Sequence, residues 1–274
     1  MGIDFVKYHG LGNDFVLIDH RDRPDLGIEP EAVPAWCDRH RGIGADGVLF
    51  LGQRDGIYQM RLINADGSEA EMCGNGVRCL AKFMQELGIA PEGNQYRVQT
   101  GAGLRELFVE PDGQITVDMG PPRLQAAEIP TTLVAPAERA IAVPLPVADR
   151  EWSVTAVSMG NPHAVVFVAD VGALDLAAIG PQFETHPAFP QRVNTEFVQV
   201  LARDRLRMRV WERGAGATQA CGTGACATVV AAVLTDRADR ECTVELPGGD
   251  LRIRWDEHTV WMTGPAVRVF AGTR

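Results

Sequence analysis

The sequence predicts a mixed α/β (α+β) fold made of two similarly folded halves. Short runs rich in Val, Ile and Phe recur between Gly, Pro and Asp turns along the whole chain, which indicates a mainly β framework. Only two segments have helical character, and each follows a copy of one Cys-Gly-x-Gly string. A string repeated at about half the chain length indicates two halves that face each other across a cleft.

The predicted strands occur in both halves of the sequence. In the first half they include FVLID, GVLFL, LFVE and ITVDM, and in the second half AVVFVAD, EFVQV, RMRVWE, TVEL and LRIRW. Basic side chains alternate with other residues just before and within one of these runs, at Arg203, Arg205, Arg207 and Arg209. This spacing is typical of the solvent-facing side of a strand.

The two predicted helices cover GVRCLAKFMQELG and GACATVVAAVLTDR, and Gly88 ends the first of them as a C-cap. We place the boundary near residue 120, where a stretch rich in Pro and Ala begins. The N-terminal half is then 1–120 and the C-terminal half 121–264. We expect the last strand, within about 265–274, to return to the first half.

Composition limits the classes of function. The chain of 274 residues is 46% apolar and 23% charged, which is typical of a folded globular protein. Its net charge of -10 argues against a nucleic-acid partner, because the phosphates of a nucleic acid are bound by clustered Lys and Arg side chains. The N-terminus lacks a basic region followed by an apolar one, and no apolar run reaches the about 20 residues that span a membrane. We therefore expect a cytoplasmic protein without a membrane partner.

The six cysteines are too sparse for a disulfide scaffold, and no Cys-x-x-Cys pair suggests structural zinc. We predict no metal site. Each cysteine is then either a small buried hydrophobic residue or a reactive thiol. Four of them have no special sequence context and are interpreted as packing residues: Cys37, Cys79, Cys226 and Cys242.

The other two cysteines, Cys73 and Cys221, each begin a predicted helix. A thiolate is favoured there by the helix dipole and by backbone N–H groups that have no partner within the helix. The glycines that follow leave room for a carboxylate to approach the same N–H groups. A single cysteine in this context could be a buried residue without chemistry, but two copies in two halves favour a catalytic pair.

Two such elements opposed across a cleft provide what stereochemical inversion needs. One cysteine, as the thiolate, removes a proton from one face of an α-carbon, and the other, as the thiol, delivers a proton to the opposite face. The amides stabilise the charge that develops on the carboxylate, so no cofactor is required. The sequence therefore predicts a cofactor-free amino-acid racemase or epimerase with its active site in the cleft between the halves.

The motifs around these cysteines resemble those of the diaminopimelate epimerase family over the full length of the chain. They are His9-Gly10-Leu11-Gly12-Asn13-Asp14-Phe15, Arg41-Gly42-Ile43-Gly44-Ala45-Asp46-Gly47, Asn64-Ala65-Asp66-Gly67-Ser68, Met72-Cys73-Gly74-Asn75-Gly76-Val77-Arg78, Gly160-Asn161-Pro162-His163, Trp211-Glu212-Arg213-Gly214 and Ala220-Cys221-Gly222-Thr223-Gly224. The resemblance implies two pseudo-symmetric halves, each a β-barrel-like sheet around a central helix. It also implies interconversion of LL- and meso-2,6-diaminopimelate without pyridoxal phosphate or metal, and a homodimer.

The resemblance also implies roles for individual residues. Cys73 and Cys221 are the acid-base pair, and His163 and Glu212 tune the pKa values of their thiols. The reacting carboxylate lies on the amides of Gly74, Asn75, Gly222 and Thr223. The distal end of the substrate is recognised by Asn13, Asn64, Asn161, Asn194, Glu212 and Arg213. Some family members contact the substrate with a Gln where this chain has Gly47, so that contact is not expected here.

Two alternatives remain open at this point. A proline or hydroxyproline racemase uses the same two-cysteine chemistry, but it carries His where Asn75 follows Cys-Gly, and the pair Glu212-Arg213 suits a substrate with a second charged end. A phenazine-biosynthesis-like isomerase or a non-catalytic binding module on the same fold is the other alternative, because a fold alone does not determine function. Loss of one or both cysteines would indicate this second alternative, but Cys73 and Cys221 are both present.

Overall fold

The structure, a computed structural model, describes residues 2–22 and 28–274. Its chain divides into two compact units: unit 1 comprises Met1–Asp118 and Thr263–Arg274, and unit 2 comprises Met119–Met262. Strands provide most of the regular structure, and the longer helices follow the two Cys-Gly-x-Gly strings. The predicted mixed α/β class with two parts is confirmed.

Strands and helices alternate along the chain in two successive groups. The first group contains β1 (Asp4–Gly10), β2 (Asn13–Asp19), a 3-10 helix (Pro30–Ala32), α1 (Val33–Cys37), β3 (Gly47–Arg54), β4 (Ile57–Asn64), β5 (Glu69–Ala70), α2 (Gly74–Glu86), β6 (Gln95–Thr100), β7 (Gly103–Val109) and β8 (Ile115–Asp118). The second group contains a 3-10 helix (Ala126–Glu128), β9 (Val143–Val147), β10 (Arg150–Ser158), β11 (Pro162–Phe167), α3 (Leu176–Glu184), β12 (Asn194–Ala202), β13 (Arg205–Glu212), β14 (Gly216–Ala217), α4 (Gly222–Leu234), β15 (Glu241–Leu246), β16 (Gly249–Trp255), β17 (Val260–Gly264) and β18 (Val267–Thr273).

The two units repeat one order of strand pairing. In unit 1, β1 pairs antiparallel with β2, β2 parallel with β3, β3 antiparallel with β4, and β4 both antiparallel with β5 and parallel with β6, which pairs antiparallel with β7. In unit 2, strands β10 to β16 pair in the same order and with the same directions. The repeat of the Cys-Gly-x-Gly string is thus part of a repeat of the whole fold. The last strand, β18, belongs to unit 1, where it pairs antiparallel with β1.

Helix α2 packs against β1 and β2 in unit 1, and α4 packs against β10, β11, β12 and β16 in unit 2. The sequence of α4 is almost entirely Ala, Val, Gly, Thr and Cys, and a helix that is apolar on all sides is stable only when it is buried. Helix α2 ends as predicted, because Gly88 follows it with φ +72 and its N–H is bonded to the carbonyl of Gln85.

The sequence analysis did not predict helices α1 and α3. Helix α3 contains Gly180 and Pro181, which normally interrupt helices. It forms because Asp175 caps its N-terminus by accepting from Ala178 N–H at 3.2 Å, and because Gly180 packs against the indole of Trp211. Tertiary packing therefore outweighs the low local helix propensity.

Two other expectations are confirmed. The four cysteines interpreted as packing residues, Cys37, Cys79, Cys226 and Cys242, are all buried. On β13 the exposed Arg205 and Arg207 both bind Glu245 of the neighbouring β15.

None of the helices that the structure describes is long and apolar enough to cross a membrane. Within those same residues, no group of three or more His, Cys, Asp or Glu side chains has the geometry of a metal site.

Candidate active site

The first cysteine element, Cys73-Gly74-Asn75-Gly76, opens helix α2. Cys73 is its N-cap residue, and its half-buried Sγ accepts from Gly76 N–H at 3.4 Å. The same sulfur donates to Asn13 Oδ1 at 3.6 Å. Asn13 is oriented by Asp46, because Asn13 Nδ2 donates to Asp46 Oδ2 at 2.7 Å and so leaves its oxygen toward the thiol. Cys73 is thereby held between a helix N-terminus and a fixed amide.

The side chain of Asn75 connects this element to a buried cation. Asn75 Nδ2 donates to Asn13 Oδ1 at 3.1 Å, and Asn75 Oδ1 accepts from Arg78 Nη2 at 3.0 Å. Arg78 is fully buried and donates from Nη1 to the carbonyl of Gly74 at 3.1 Å. The first turn of α2 therefore combines the field of the helix N-terminus with a guanidinium charge, which together favour an anion.

Asn64 and Gly47 lie at paired ends of β4 and β3. Asn64 Nδ2 donates to Ser68 Oγ at 3.0 Å within the turn that follows β4. A Cβ on Gly47 would lie 2.8 Å from the carbonyl oxygen of Ile63, so a larger residue does not fit without a backbone shift. This steric limit explains why the position suits glycine in this chain.

The second cysteine element, Cys221-Gly222-Thr223-Gly224, opens helix α4. Cys221 is only 6% exposed, and its Sγ lies 3.6 Å from Thr223 Oγ1. Burial raises the pKa of the Cys221 thiol well above its usual value, and the carboxylates of Glu212 and Glu196 raise this pKa further. These surroundings therefore oppose ionisation of the Cys221 thiol.

Glu212 lies at the end of β13 and accepts a hydrogen bond from the Thr218 hydroxyl. Burial raises the pKa of its carboxyl, and Glu196 acts in the same direction. The sequence analysis predicted that Glu212 tunes a thiol pKa. The structure places it among the groups that act electrostatically on Cys221.

His163, near the start of β11, is completely buried and has an oxygen at each ring nitrogen. Nδ1 lies 2.7 Å from Glu196 Oε1, and Nε2 lies 3.0 Å from Asn161 Oδ1. The structure therefore brings together two predicted site residues, His163 and Asn161, and adds a third residue, Glu196.

Asn194 and Arg213 are joined through the backbone. Asn194 is 4% exposed, its Oδ1 accepts from Arg213 N–H at 2.9 Å, and its Nδ2 donates to the carbonyl of Pro162 at 2.9 Å. The Arg213 side chain is exposed and donates to the carbonyl of Gln191 at 3.0 Å. Asn194 thus fixes the backbone of the Glu212-Arg213 segment, and a direct contact of Asn194 with substrate stays a prediction.

Four residues of the site were given no role from the sequence: Asp46, Arg78, Glu196 and Thr218. The clearest signal was Glu196, a charged residue inside the apolar run EFVQV. The run was interpreted only as a strand, so the charged residue within it was not recognised as a candidate site residue. Charged side chains are rarely fully buried unless they are paired, so a Glu in a buried strand indicates a specific role.

The comparisons with known proteins agree with each other on the family. The family model for diaminopimelate epimerase matches residues 5–125 and 155–269. A diaminopimelate epimerase of Thermosynechococcus vestitus is 62% identical over 100% of this chain and 99% of its own length. Diaminopimelate epimerase 1 of Nostoc sp. (strain PCC 7120) is 60% identical over 99% of each chain.

Solved structures with much lower sequence identity share the fold. A PhzF-family phenazine biosynthesis protein from Bacillus anthracis superposes with a TM-score of 0.72 at 16% identity, covering 100% of this chain and 99% of its own. A hydroxyproline epimerase from Agrobacterium vitis, with bound trans-4-hydroxy-L-proline, gives a TM-score of 0.71 at 14% identity and covers 100% and 91%. At these identities the likeness concerns the fold alone.

Proposed function

This chain belongs to the diaminopimelate epimerase family, and we propose that it interconverts LL- and meso-2,6-diaminopimelate with Cys73 and Cys221 as its two acid-base residues. It is an isomerase. The observation that carries the proposed chemistry is that each cysteine occupies the N-cap of a buried helix, directly before a glycine, in a repeated fold.

The proton transfers follow from the two thiols. The thiolate of one cysteine takes the α-hydrogen of the substrate as a proton, and the electron pair left on the α-carbon delocalises into the adjacent carboxylate. The thiol of the other cysteine then donates its proton to the opposite face of that carbon. The first cysteine ends as a thiol and the second as a thiolate, so the reverse reaction uses the same groups in exchanged roles.

The direction of the first transfer is supported by the different surroundings of the two thiols. Its burial and the neighbouring carboxylates oppose its ionisation. Cys73, in contrast, is only half-buried and accepts from Gly76 N–H at the N-terminus of α2, which favours its thiolate, while Asn13 Oδ1 accepts from the thiol that forms when it takes up a proton. We therefore infer that Cys73 is the base, and Cys221 the acid, for the isomer that binds to this form of the enzyme.

The reacting carboxylate is held by backbone N–H groups at the two helix N-termini, those of Gly74, Asn75, Gly222 and Thr223. The absence of side chains on the glycines lets an anion approach these donors, and preorganised donors stabilise the negative charge that grows during proton removal. Glu212 opposes ionisation of Cys221, and the family resemblance assigns His163 a role with Glu212 in tuning the pKa values of the thiols.

The distal amino-acid end of the substrate carries one ammonium and one carboxylate. The exposed guanidinium of Arg213 is suited to the distal carboxylate, and the carboxylate of Glu212 to the ammonium. The Asn amides complete the hydrogen bonds, either directly or by orienting these groups: Asn13, Asn64, Asn161 and Asn194.

The proposed reaction needs no pyridoxal phosphate. That cofactor is bound through a lysine Schiff base, and the sequence contains only two lysines. Lys7 forms an ion pair with Asp14 at 2.8 Å, and Lys82 donates to Gln85 on α2. We also propose that the enzyme acts in the cytoplasm as a homodimer.

The test of the function is incubation of the reduced protein with LL-diaminopimelate in deuterated water without added cofactor. We expect meso product with one deuterium at each inverted centre. NMR and mass spectrometry measure its formation and its deuterium content. Cys73→Ala and Cys221→Ala should each lower kcat by at least about 1,000-fold with an unchanged far-UV CD spectrum, because each removes the proton carrier on one face.

Three outcomes would contradict the proposal. Exchange with L-proline or hydroxyproline but not with LL-diaminopimelate would assign a different substrate to the same two thiols. Near-native turnover of either single cysteine variant would show that the two-thiol mechanism is wrong. Inhibition by hydroxylamine, which attacks Schiff bases, would contradict the proposed independence from pyridoxal phosphate.

A further inference from the structure

The repeated fold allows the two cysteine elements to be compared position by position. In unit 1 the parallel pair β2–β3 sets Phe15 opposite Gly47, and in unit 2 the parallel pair β11–β12 sets His163 opposite Asn194. Each of these is the first residue pair in the register of its two parallel strands. The corresponding positions are therefore Phe15 and His163, Gly47 and Asn194, and Leu49 and Glu196.

The second glycine of each cysteine element confirms this correspondence. A Cβ on Gly76 would have Leu49 Cδ1 as its nearest neighbour at 3.3 Å, with Phe15 Cζ at 3.6 Å. A Cβ on Gly224 would have Glu196 Oε1 as its nearest neighbour at 2.6 Å. The same space beneath the first helical turn is thus filled by an apolar Phe–Leu pair in unit 1 and by a His–Glu pair in unit 2.

A carboxylate is energetically unfavourable in the buried space that the Glu196 side chain occupies. Its carboxylate is completely buried, and Oε2 has no hydrogen-bond partner among the residues that the structure describes. Oε1 accepts from His163 Nδ1 at 2.7 Å. An apolar residue fills the equivalent position in unit 1, so packing alone does not require a carboxylate here.

We propose that Glu196 is a positioning residue of the epimerase reaction, which fixes the ring of His163 and places a negative charge beneath Cys221, and so makes the second cysteine element electrostatically different from the first. This inference rests on the proposed function of Cys221 as one of the two acid-base thiols.

The hydrogen bonds show how Glu196 acts. Its carboxylate keeps the proton of His163 on Nδ1 and fixes the plane of the ring, so that Nε2 faces Asn161. Both ring nitrogens of His163 therefore face an oxygen atom, and a rotated ring would lose both contacts.

The charged groups around Glu196 come from three further elements. His163 lies on β11, Glu212 on β13 and Cys221 at the start of α4. The negative charge of Glu196 raises the pKa of Cys221, in addition to the effects of burial and of Glu212. This arrangement keeps a proton on Cys221, and unit 1 has no carboxylate at the equivalent position.

The decisive variant is Glu196→Gln, which keeps the size of the side chain and removes its charge. We expect kcat for LL-diaminopimelate to fall by about ten-fold while KM changes by less than about two-fold. The pH profile of kcat should move toward lower pH, because the Cys221 thiol ionises more easily without the neighbouring charge. Glu245→Gln, at an exposed ion pair on β15, is the matched control and should keep the wild-type kcat, KM and profile.

A double-mutant cycle tests whether Glu196 acts through His163. In a His163→Asn background, Glu196→Gln should lower kcat by less than about two-fold, because its positioning of His163 is already lost, whereas the shift of the pH profile should remain, because the charge beneath Cys221 is still removed. If the double variant lowered kcat by the full product of the two single-variant effects, the proposal would be overturned. A Glu196→Gln enzyme with an unshifted pH profile would also overturn it, since a purely structural defect lowers kcat equally at every pH.

The ring nitrogens of His163 provide a readout that does not depend on turnover. In 15N-histidine-labelled wild-type protein, the His163 signals, identified by their loss in His163→Asn, should show Nδ1 protonated across the pH range of maximal kcat. Glu196→Gln should change these signals. An unprotonated Nδ1 in the wild type would overturn the proposal, even if Glu196→Gln failed to fold. Wild-type protein that does not act on diaminopimelate would instead overturn the proposed function.

Discussion

Gly224 shows how a single missing side chain sets the geometry of the candidate site. Its backbone lies in the first turn of α4, between the carboxylate of Glu196 and the sulfur of Cys221. A Cβ there would lie 2.6 Å from Glu196 Oε1, which is closer than real Cβ contacts, and 3.1 Å from Cys221 Sγ, which is tighter than most of them. The second glycine of the Cys-Gly-x-Gly string therefore lets a buried carboxylate and a thiol share one helix end.

Gly224→Ala is predicted to impair both activity and stability. Ala is favoured over Gly inside a helix by about 1 kcal/mol, whereas overpacking a buried site costs about 1–3 kcal/mol, so the net effect is destabilising. We expect a loss of up to about 2 kcal/mol in urea unfolding and a marked fall in kcat, because Glu196 and Cys221 are displaced. Gly52→Ala on β3 is the control, since its Cβ would meet only Gln59 Cβ at 3.6 Å. Equal stability and kcat in both variants would contradict the packing argument.

At the scale of elements, Asp14 holds two neighbouring segments to β2. Its carboxylate binds Lys7 on β1 at 2.8 Å and Arg39, which follows α1, at 2.7 Å. Burial alone would raise the pKa of Asp14, but the bonds to Arg39 and Lys7 outweigh it and lower this pKa to about 2. The network lies next to Asn13 and Asp46, so it also supports the amide that contacts Cys73.

Asp14→Asn is predicted to destabilise the protein in a pH-dependent way. A carboxyl whose folded pKa is depressed from 3.8 to about 2 contributes stability above 3.8, and this contribution is lost as the pH falls toward 2. The shift corresponds to about 2 kcal/mol at pH 7. Urea unfolding at pH 7 should show this difference from wild type, and the difference should shrink at pH 3. Asp55→Asn, at a highly exposed side chain, should show no difference, and a pH-independent loss in Asp14→Asn would contradict the explanation.

At the scale of the whole molecule, the last strand presents an apolar surface. On β18, Val267, Val269 and Phe270 are 46%, 52% and 44% exposed. Exposed apolar side chains that cluster on one strand are typical of an interaction surface. A second copy of the same chain is the partner we propose, and this surface supports the proposed homodimer.

Val269→Glu is predicted to convert the dimer to a monomer. A charge at this exposed position costs little in the monomer, but it would be desolvated at an interface between two copies. Sedimentation equilibrium at micromolar concentration should therefore give a dimer for the wild type and a monomer for the variant. Val200→Glu, at an exposed position of β12, should remain dimeric. A monomeric wild-type protein would show that the homodimer proposal is wrong.

Several features of this protein were determined by local sequence patterns. The strands and helices α2 and α4 were predictable because apolar periodicity and turn residues act over a few neighbouring positions. The two candidate acid-base cysteines were recognisable because a helix N-cap, a following glycine and a second copy of the same string all lie within short segments. The family was recognisable for the same reason, since its motifs are contiguous.

Other features were decided only by tertiary structure. Helix α3 forms despite Gly180 and Pro181 because Trp211, far along the chain, covers the glycine. The His163–Glu196 pair joins residues 33 positions apart, and Asn13 meets Cys73 across 60 positions. Burial and hydrogen-bond partners depend on which distant segments pack together, and no local pattern contains that information. The sequence thus determined which thiols are present, whereas the packing around each thiol decided that their surroundings differ.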